Sequence, residues 1–386
     1  PQRITADTVL EIDAATRRNL EITQSLHGGG RKGSLLATID ATRSAPGARL
    51  LQARLAAPSC DLNEIRARLD QCQFFYERGE LSDKLRQRLA KISDMQRALS
   101  RLTAGRGSPR DLGQLRDGLS EAEAIRQLLQ ESGDTQPIDN LLTPLQQKAE
   151  IAQLQDTLQQ ALIADLPPIT REGGFIAKGF DPALDELHSL RQVSQRHIAN
   201  LQARYIKDTG IDKLKIAHNH MLGYYIEVPG KHGEKLLVTG DNDASMENPF
   251  IHRQTMANAM RFTTAELAEL EREISSAGDK ALARELSLFD ELCAQACSLS
   301  DEIAAIARAL AGIDVACAMA DLARRKGYTR PDVDNSTYFT IEGGRHPVVE
   351  AALEADQERF VSNDCQLEDN QRLWLLTGPN MAGKST

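Results

Sequence analysis

The stretch KLKIAHNHMLGYYIEVP (residues 213–229) marks a change in the spacing of apolar residues along the chain. Its apolar residues alternate with polar ones, and they are Leu214, Ile216, Tyr224, Ile226 and Val228. A period of two is typical of strands with one buried face. We therefore predict two strands joined by a turn at 218–223, and a further short strand at EKLLVTGD (234–241).

Helical patterns lie on both sides of this stretch. Apolar residues recur every three or four positions from 182 to 206 and again from 264 to 323. At about 1.5 Å per residue, the second pattern would reach about 90 Å as one continuous helix. We expect Gly278 and Gly312 to bend or break it. The sequence thus predicts two long helical arms that enclose a small β-rich module.

The chain before the first arm, from 34 to 164, is predicted to be helical almost throughout. Asp61 is the expected N-cap of a helix that runs to residue 77, and a second periodic pattern covers 82–102. Ser108 and Pro109 have the residue types preferred at the cap and first position of another helix. This part of the chain is predicted to form a domain of many helices.

The composition is that of a globular, helix-rich protein, with 41% hydrophobic and only 4% aromatic residues. We see no apolar run near the roughly 20 residues that span a bilayer, and no signal peptide. The six cysteines show neither a CxxC pair nor a zinc spacing, and Cys293 and Cys297 are one helical turn apart, as in a buried helix face. We expect a reducing cytoplasm and no disulfide framework.

The charge is unevenly distributed. The chain carries a net −9, which argues against a chain that binds nucleic acid over its whole surface. The segment 195–262, however, contains nine basic and seven acidic residues, together with five of the eight histidines. The β-rich module is therefore a candidate surface for a polyanion, with an inserted subdomain that binds nothing as the alternative.

The end of the chain carries a phosphate-binding pattern. STYFTIEGGRHPVVE (336–350) predicts a strand, a glycine turn and a second strand, and RLWLLTG (372–378) predicts a short buried strand. Gly378, Gly383, Lys384 and Ser385 then fit G-x-x-x-x-G-K-[ST]. In such a loop the backbone N–H groups surround phosphate oxygens, the lysine neutralises the β and γ charges, and the serine hydroxyl binds magnesium. We predict nucleotide binding by a third, α/β unit.

Five blocks of sequence resemble the MutS family of ATP-dependent DNA mismatch-recognition proteins. In chain order they are DAATRRNLEI (13–22), HMLGYYIEV (220–228), RQTMANAMRF (253–262), GGRHPVVE (343–350) and TGPNMAGKST (377–386). They follow the family order over essentially the whole chain.

The resemblance implies a mainly α, multidomain fold. A helical core would send long lever helices to a β-rich clamp inserted between them, and the start of an α/β P-loop ATPase domain would follow. The implied segments are the end of a connector (1–12), the core and first lever (13–203), the DNA clamp (204–263), the returning lever (264–330) and the ATPase start (331–386).

The resemblance also implies site residues. ATP or ADP with Mg²⁺ would be bound by Gly378, Pro379, Asn380, Met381, Ala382, Gly383, Lys384, Ser385 and Thr386, with Phe360 and Val361 against the adenine and Ser385 on the metal. The DNA backbone would be contacted by Lys213, Lys215, Lys231, Arg253, Asn258 and Arg261. Three residues depart from the family pattern: Ala382 stands for a glycine, Ala257 for a lysine and Met260 for a glutamate. The acidic stretch 239–249 is an added loop.

The implied function is DNA mismatch repair in the bacterial cytoplasm, near the nucleoid and without a membrane. The implied partners are mismatched duplex DNA, a second copy of the protein and a downstream repair protein of the MutL type. We expect the chain to be part of a longer protein, without the mismatch-binding domain and most of the ATPase domain.

Two other classes remain alternatives: a coiled-coil ATPase of the chromosome-maintenance type, and a MutS relative that acts on branched DNA. The first carries its phosphate loop before the coil, whereas here the loop follows the arms. Phe75-Tyr76-Glu77 fits the family's Phe-x-Glu mismatch motif, but its helical context predicts a core helix. His218 and His220 lack an evident third metal ligand, so we predict a solvated turn.

We predict that the 386-residue chain by itself does not hydrolyse ATP. The resemblance places the acidic residue that holds magnesium and orients the attacking water beyond residue 386. The measurement is phosphate release from ATP with magnesium. Turnover that Lys384→Ala abolishes would contradict the prediction.

Overall fold

The computed structural model describes residues 9–26, 29–146, 148–219, 222–238, 249–368, 370–375 and 377. Within these ranges the fourteen α-helices are α1 Ala14–Asn19, α2 Leu35–Ile39, α3 Ala45–Ala56, α4 Leu62–Glu77, α5 Gly79–Leu89, α6 Met95–Thr103, α7 Pro109–Gln130, α8 Asp139–Leu142, α9 Ala149–Ala161, α10 Pro182–Thr209, α11 Gly230–Val238, α12 Ala265–Ser298, α13 Ser300–Lys326 and α14 Pro347–Ala355. The strands are β1 Lys215–Asn219, β2 Gly223–Pro229, β3 Ile251–Thr255, β4 Ala259–Thr263, β5 Phe339–Gly344 and β6 Asn363–Leu367. Short 3₁₀ helices occur at Gln136–Ile138, Thr143–Leu145 and Thr170–Glu172. The fold is mostly helical, as predicted, and its strands form two small antiparallel sheets; the start of an α/β ATPase domain stays a prediction.

The chain forms two compact units. The first contains residues 1–107, 111–157 and 295–386, and the second contains 108–110 and 158–294. The helices α10 and most of α12 therefore belong to the same unit as the four-stranded sheet. The predicted domain boundaries at 203 and 263 stay predictions.

Helix α13 is the centre of the first unit. Its 27 residues are apolar on nearly every side, and its buried positions run from Ile303 to Leu322. It packs against α3, α4, α5, α6 and α8. Phe75 on α4 is fully buried, which confirms that Phe75-Tyr76-Glu77 belongs to a core helix.

A buried carboxylate ties α13 to the start of α3. Asp314 is fully buried and accepts hydrogen bonds from the backbone N–H of Arg43 (2.9 Å), the backbone N–H of Ser44 (2.8 Å) and the Ser44 hydroxyl (2.6 Å). Ser44 in turn caps α3 by accepting from the Gly47 N–H. Burial raises the pKa of Asp314 above its ordinary value, so the three donors offset a real cost of desolvation.

The C-terminal end of α13 is held by Arg345, in the GGRHPVVE stretch. Its guanidinium donates to the carbonyl oxygens of Lys326 (2.7 Å) and Gly327 (3.4 Å). It also pairs with Glu350 on α14 at 2.9 Å and lies over the Tyr328 ring. One cation therefore satisfies free carbonyls at the end of one helix and binds the first turn of the next.

The four strands of the second unit form an antiparallel sheet in the order β1-β2-β4-β3. Its inner face shares one hydrophobic cluster with the helices, which includes Ile198, Leu201 and Tyr205 of α10, Ile226 and Val228 of β2, Leu236 of α11, Phe262 of β4 and Leu267 and Ile274 of α12. The two strands predicted on either side of a turn at 218–223 are confirmed as β1 and β2, and their pairing extends into that turn as far as Asn219 and Gly223. Residues 220 and 221 lie outside the described residues.

The arms differ from prediction in where they break. The first arm is confirmed as α10, with Asp181 as N-cap and Gly210 in a left-handed conformation at its end. The second arm is interrupted at Leu299, whereas Gly278 and Gly312 both lie inside helices. A β-carbon at Gly278 would meet nothing within 4 Å, and a helix flanked by solvent tolerates such a glycine. The predicted helix over 82–102 is divided into α5 and α6.

Three predicted strands are wrong. Residues 234–238 belong to α11, because buried Gly233 and Leu236 are one helical turn apart and face the sheet. Residues 347–350 begin α14, where His346 is the N-cap and accepts from the Val349 N–H, and Pro347 occupies the first turn. Residues 372–375 form no strand, and Leu373 and Leu375 are 82% and 83% exposed.

Helix α13 also corrects the expectation about apolar runs. Of the described helices, it alone is long and apolar enough to cross a membrane. However, 78% of its most apolar window is buried in the protein, and the core helix of a soluble protein meets the same test. Arg308 and Asp314 interrupt the apolar residues of α13, so the sequence alone did not show a long apolar segment here.

We predict that Asp314→Ala destabilises the first unit by about 2–4 kcal/mol, because three donors lose their acceptor in a site closed to water. The free energy of unfolding in urea, followed by circular dichroism, measures the change. Asp301→Ala removes an exposed carboxylate from the first turn of the same helix and serves as the control. Equal effects of the two substitutions would show that the buried bonds contribute nothing.

Candidate nucleic-acid interface

The outer face of the four-stranded sheet carries the polar residues of the strands. On β2, Ile226 and Val228 face the helices, so Tyr225 and Glu227 face outward. On β4, Phe262 faces the helices and Arg261 faces outward. Burial of the inner face determines the register of each strand, and the register in turn determines which side chains lie on the outer face.

Four of these outward residues form a row across all four strands. The strand pairing sets Lys215 opposite Glu227, Glu227 opposite Arg261, and Arg261 opposite Gln254. Lys215 Nζ lies 3.0 Å from Glu227 Oε1, and Arg261 Nε lies 3.3 Å from Glu227 Oε2. Arg261 also donates to Gln254 at 3.2 Å and lies 4.4 Å from the centre of the Tyr225 ring.

Glu227 is therefore an ionised bridge between two cations. The hydrogen bond from Lys215, followed by that from Arg261, lowers the pKa of Glu227 below its ordinary value. The carboxylate is charged at neutral pH, and the row as a whole carries one net positive charge.

A bulge in the edge strand β3 decides which residue meets Arg261. The pairing shifts between His252 and Gln254, so Arg253 has no partner in the ladder. In a regular ladder without the bulge, Arg253 would lie directly opposite Arg261, and two like charges in that position would repel each other. Arg253 is instead exposed and forms no ion pair with a described residue.

A second polar surface of the module is an open groove of about 770 Å³. Lys213, Lys231 and Asn258 all line it, together with His232 and the carboxylates of Asp212 and Glu234. Lys213 and Lys231 are exposed, and neither pairs with a carboxylate of the described chain. The Asn258 carbonyl accepts from the Gly230 N–H at 3.1 Å and so holds the β3–β4 turn against the start of α11.

The hairpin between β1 and β2 depends on Gly223. This residue has φ +66°, and a β-carbon there would overlap the carboxylate of Glu271 on α12. Both the left-handed backbone and the close approach of the helix favour glycine. This explains the glycine in the stretch HMLGYYIEV.

The six predicted clamp residues thus fall into three environments. Lys213, Lys231 and Asn258 share the groove, Lys215 and Arg261 share Glu227, and Arg253 is alone on the edge strand. Sequence reasoning missed Glu227, Gln254 and Tyr225 as their partners. The alternation in GYYIEV places Glu227 and Tyr225 on the outer face, but the contacts depend on strand pairing that the sequence did not show.

The predicted nucleotide site lies mostly outside the described residues, because 378–386 are not among them. Phe360 is partly buried and Val361 is 78% exposed, in the segment between α14 and β6. His220 and most of the stretch 239–249 are also outside. Among the residues that are described, no group of three or more metal-ligating side chains comes together.

The second unit thus joins two long helices to a four-stranded sheet, and exposed cations lie on that sheet and in the groove beside it. A family model described as MutS domain III matches residues 15–320. The chain belongs to the MutS family. This membership decides against the coiled-coil chromosome-maintenance class.

Curated relatives match the whole chain. A DNA mismatch repair protein MutS from Dinoroseobacter shibae is 48% identical over 392 residues, which is 100% of this chain and 43% of the relative. Proteins of the same name from Rhodopseudomonas palustris strain HaA2 and Paracoccus denitrificans are each 47% identical, again over 100% of this chain, and it covers 42% and 43% of them. The chain therefore spans about two fifths of the length of these relatives.

We predict that Gly223→Ala destabilises the second unit by about 1–2 kcal/mol, because alanine is strained at this backbone conformation. Gly278→Ala is the matched control, since its β-carbon would point into open space within α12 and is expected to be neutral or stabilising by up to about 1 kcal/mol. Thermal unfolding of both variants checks the pair. A Gly223→Ala protein as stable as its parent would refute this account of the hairpin.

Proposed function

We propose that this chain provides the part of a DNA mismatch repair protein that holds the backbone of duplex DNA. The curated relatives are named DNA mismatch repair protein MutS, which supports mismatch repair over the processing of branched DNA. The four-stranded sheet would be the clamp, and α10 and α12 would be the levers that carry it.

The observation that carries this proposal is the presence of three exposed cations without carboxylate partners among the described residues: Lys213, Lys231 and Arg253. The chain as a whole carries a net charge of −9, and Lys213 and Lys231 line one groove, so the module offers a local attraction for a polyanion. Contacts from such cations to phosphates fix a protein on the duplex without reading its sequence.

The groove suits a phosphate in particular. Lys213 and Lys231 both line it, and the amide of Asn258 offers an additional donor. The groove also contains the start of α11, where the helix dipole adds partial positive charge. Asp212 and Glu234 limit this attraction, so we expect weak binding.

We further propose, from family membership, that the whole protein binds ATP or ADP with Mg²⁺ through Gly378–Thr386, with Phe360 and Val361 near the adenine and Ser385 on the metal. Nucleotide binding there would alter the position of the levers and the clamp. The whole protein would act as a homodimer with a MutL-type partner, in the bacterial cytoplasm near the nucleoid, and would recognise mismatches through a domain outside this chain.

We predict that the chain binds duplex DNA weakly, and that this affinity falls steeply as salt rises from about 50 to 200 mM. In the variant with Lys213→Ala and Lys231→Ala, binding should weaken because fewer cations neutralise the DNA backbone. The slope of log K against log salt should become shallower by about 0.9 for each phosphate that is no longer neutralised. Fluorescence anisotropy with a labelled duplex measures both.

The double variant with Lys84→Ala and Lys91→Ala provides a charge-matched control, because both lysines are exposed in the other unit. Its affinity and slope should equal those of the parent chain. A parent chain whose affinity is the same at low and moderate salt would overturn the proposed backbone contact, and a variant without Lys213 and Lys231 that binds like the parent would exclude the groove.

A further inference from the structure

We propose that Glu227 sets how tightly the outer face of the sheet holds DNA, by competing with phosphates for Lys215 and Arg261. This inference rests on the proposed DNA contact and assigns a regulatory role to an acidic residue within it. The ligand is the same sugar–phosphate backbone, and the new element is a carboxylate that weakens the contact.

The geometry makes Glu227 the common partner of both cations. Its two oxygens are divided between them, with Oε1 at 3.0 Å from Lys215 Nζ and Oε2 at 3.3 Å from Arg261 Nε. Because the three residues are directly opposite each other on β1, β2 and β4, the backbone pairing keeps them together. The register fixes the backbone positions of the three residues, while the ammonium group of Lys215 can still move on its flexible stem.

The two cations differ in how easily a phosphate could reach them. The side chain of Arg261 is only 16% exposed and is held between Glu227, Gln254 and the Tyr225 ring. The side chain of Lys215 is 61% exposed and has a flexible stem. A phosphate would therefore contact Lys215 before Arg261, and Lys215 must weaken its ion pair with Glu227 to make that contact.

The free cations elsewhere on the module provide the contrast. Lys213, Lys231 and Arg253 have no carboxylate partner among the described residues, so they bind phosphate without first giving up an ion pair. Because of the bulge, Gln254 and not Arg253 lies opposite Arg261, so Arg253 is not part of the row. The module thus combines free cations that attract DNA with restrained cations that limit how strongly it is held.

The test is Glu227→Gln in the 386-residue chain, which removes the charge but keeps the size of the side chain and one acceptor oxygen. If Lys215 becomes free for one phosphate contact, affinity for a duplex without mismatches should rise about fivefold to tenfold at about 0.1 M salt. The slope of log K against log salt should become steeper by about 0.9.

Glu266→Gln is the matched control for net charge. Glu266 pairs with Arg204 on helices α12 and α10, where both side chains are about half exposed, so its substitution removes the same charge from an ion pair between helices and not from the row of strand residues. Affinity should stay within about twofold of the parent chain, since an exposed charge outside the row of strand residues acts only through a screened field.

The double variant with Lys215→Ala and Glu227→Gln tests whether Lys215 is the source of the higher DNA affinity expected for Glu227→Gln. If freed Lys215 contacts phosphate, the double variant should lose most of the tightening, whereas Lys215→Ala alone should change affinity little. Unfolding curves for each variant confirm that the sheet is intact.

The possible outcomes separate the two proposals. Tighter binding and a steeper slope in Glu227→Gln, absent in Glu266→Gln, support the inference. Unchanged or weaker binding in Glu227→Gln, while the parent chain binds with the expected salt dependence, overturns the inference and leaves the proposed function standing. A parent chain without salt-dependent DNA binding overturns the proposed function itself.

Discussion

The second unit depends on one requirement, which is that the inner face of its sheet and the apolar stripes of α10 and α12 bury each other. Ile226, Val228 and Phe262 meet Leu201 and Leu267 in a single cluster. Since successive side chains of a strand point to opposite faces, this burial determines which residues reach the solvent on the other side. The arrangement of charges on the outer face is therefore a consequence of hydrophobic packing.

The sequence predicted those elements whose period is uninterrupted. The alternation around GYYIEV and the long stripe of α10 were each sufficient to identify a strand or a helix. It failed where short apolar runs fit two periods. EKLL belongs to helix α11, in which Leu236 is buried and Leu237 is exposed, and PVV opens α14 because His346 and Pro347 favour a helix start. Leu373 and Leu375 show that apolar composition predicts burial only when another element covers the segment.

The candidate site was predictable in its residue types but not in its pairing. Lysines and arginines near the strands identified the module as a possible polyanion surface, and three of them are exposed and unpaired among the described residues. Whether a cation is free depends on its neighbours across the sheet, and these follow from register and from the bulge between His252 and Gln254. A single sequence shows neither, because strand pairing joins residues far apart in the chain.

The bulge in β3 also leaves two neighbouring arginines with different conformational freedom. Arg261 is already held in one rotamer by Glu227, Gln254 and Tyr225, so it has little conformational entropy left to lose. Arg253 keeps its rotamer freedom and would lose up to about 2 kcal/mol of side-chain entropy when it settles on a ligand. One extra residue in β3 thus leaves a rigid cation and a freely rotating cation side by side on the same sheet.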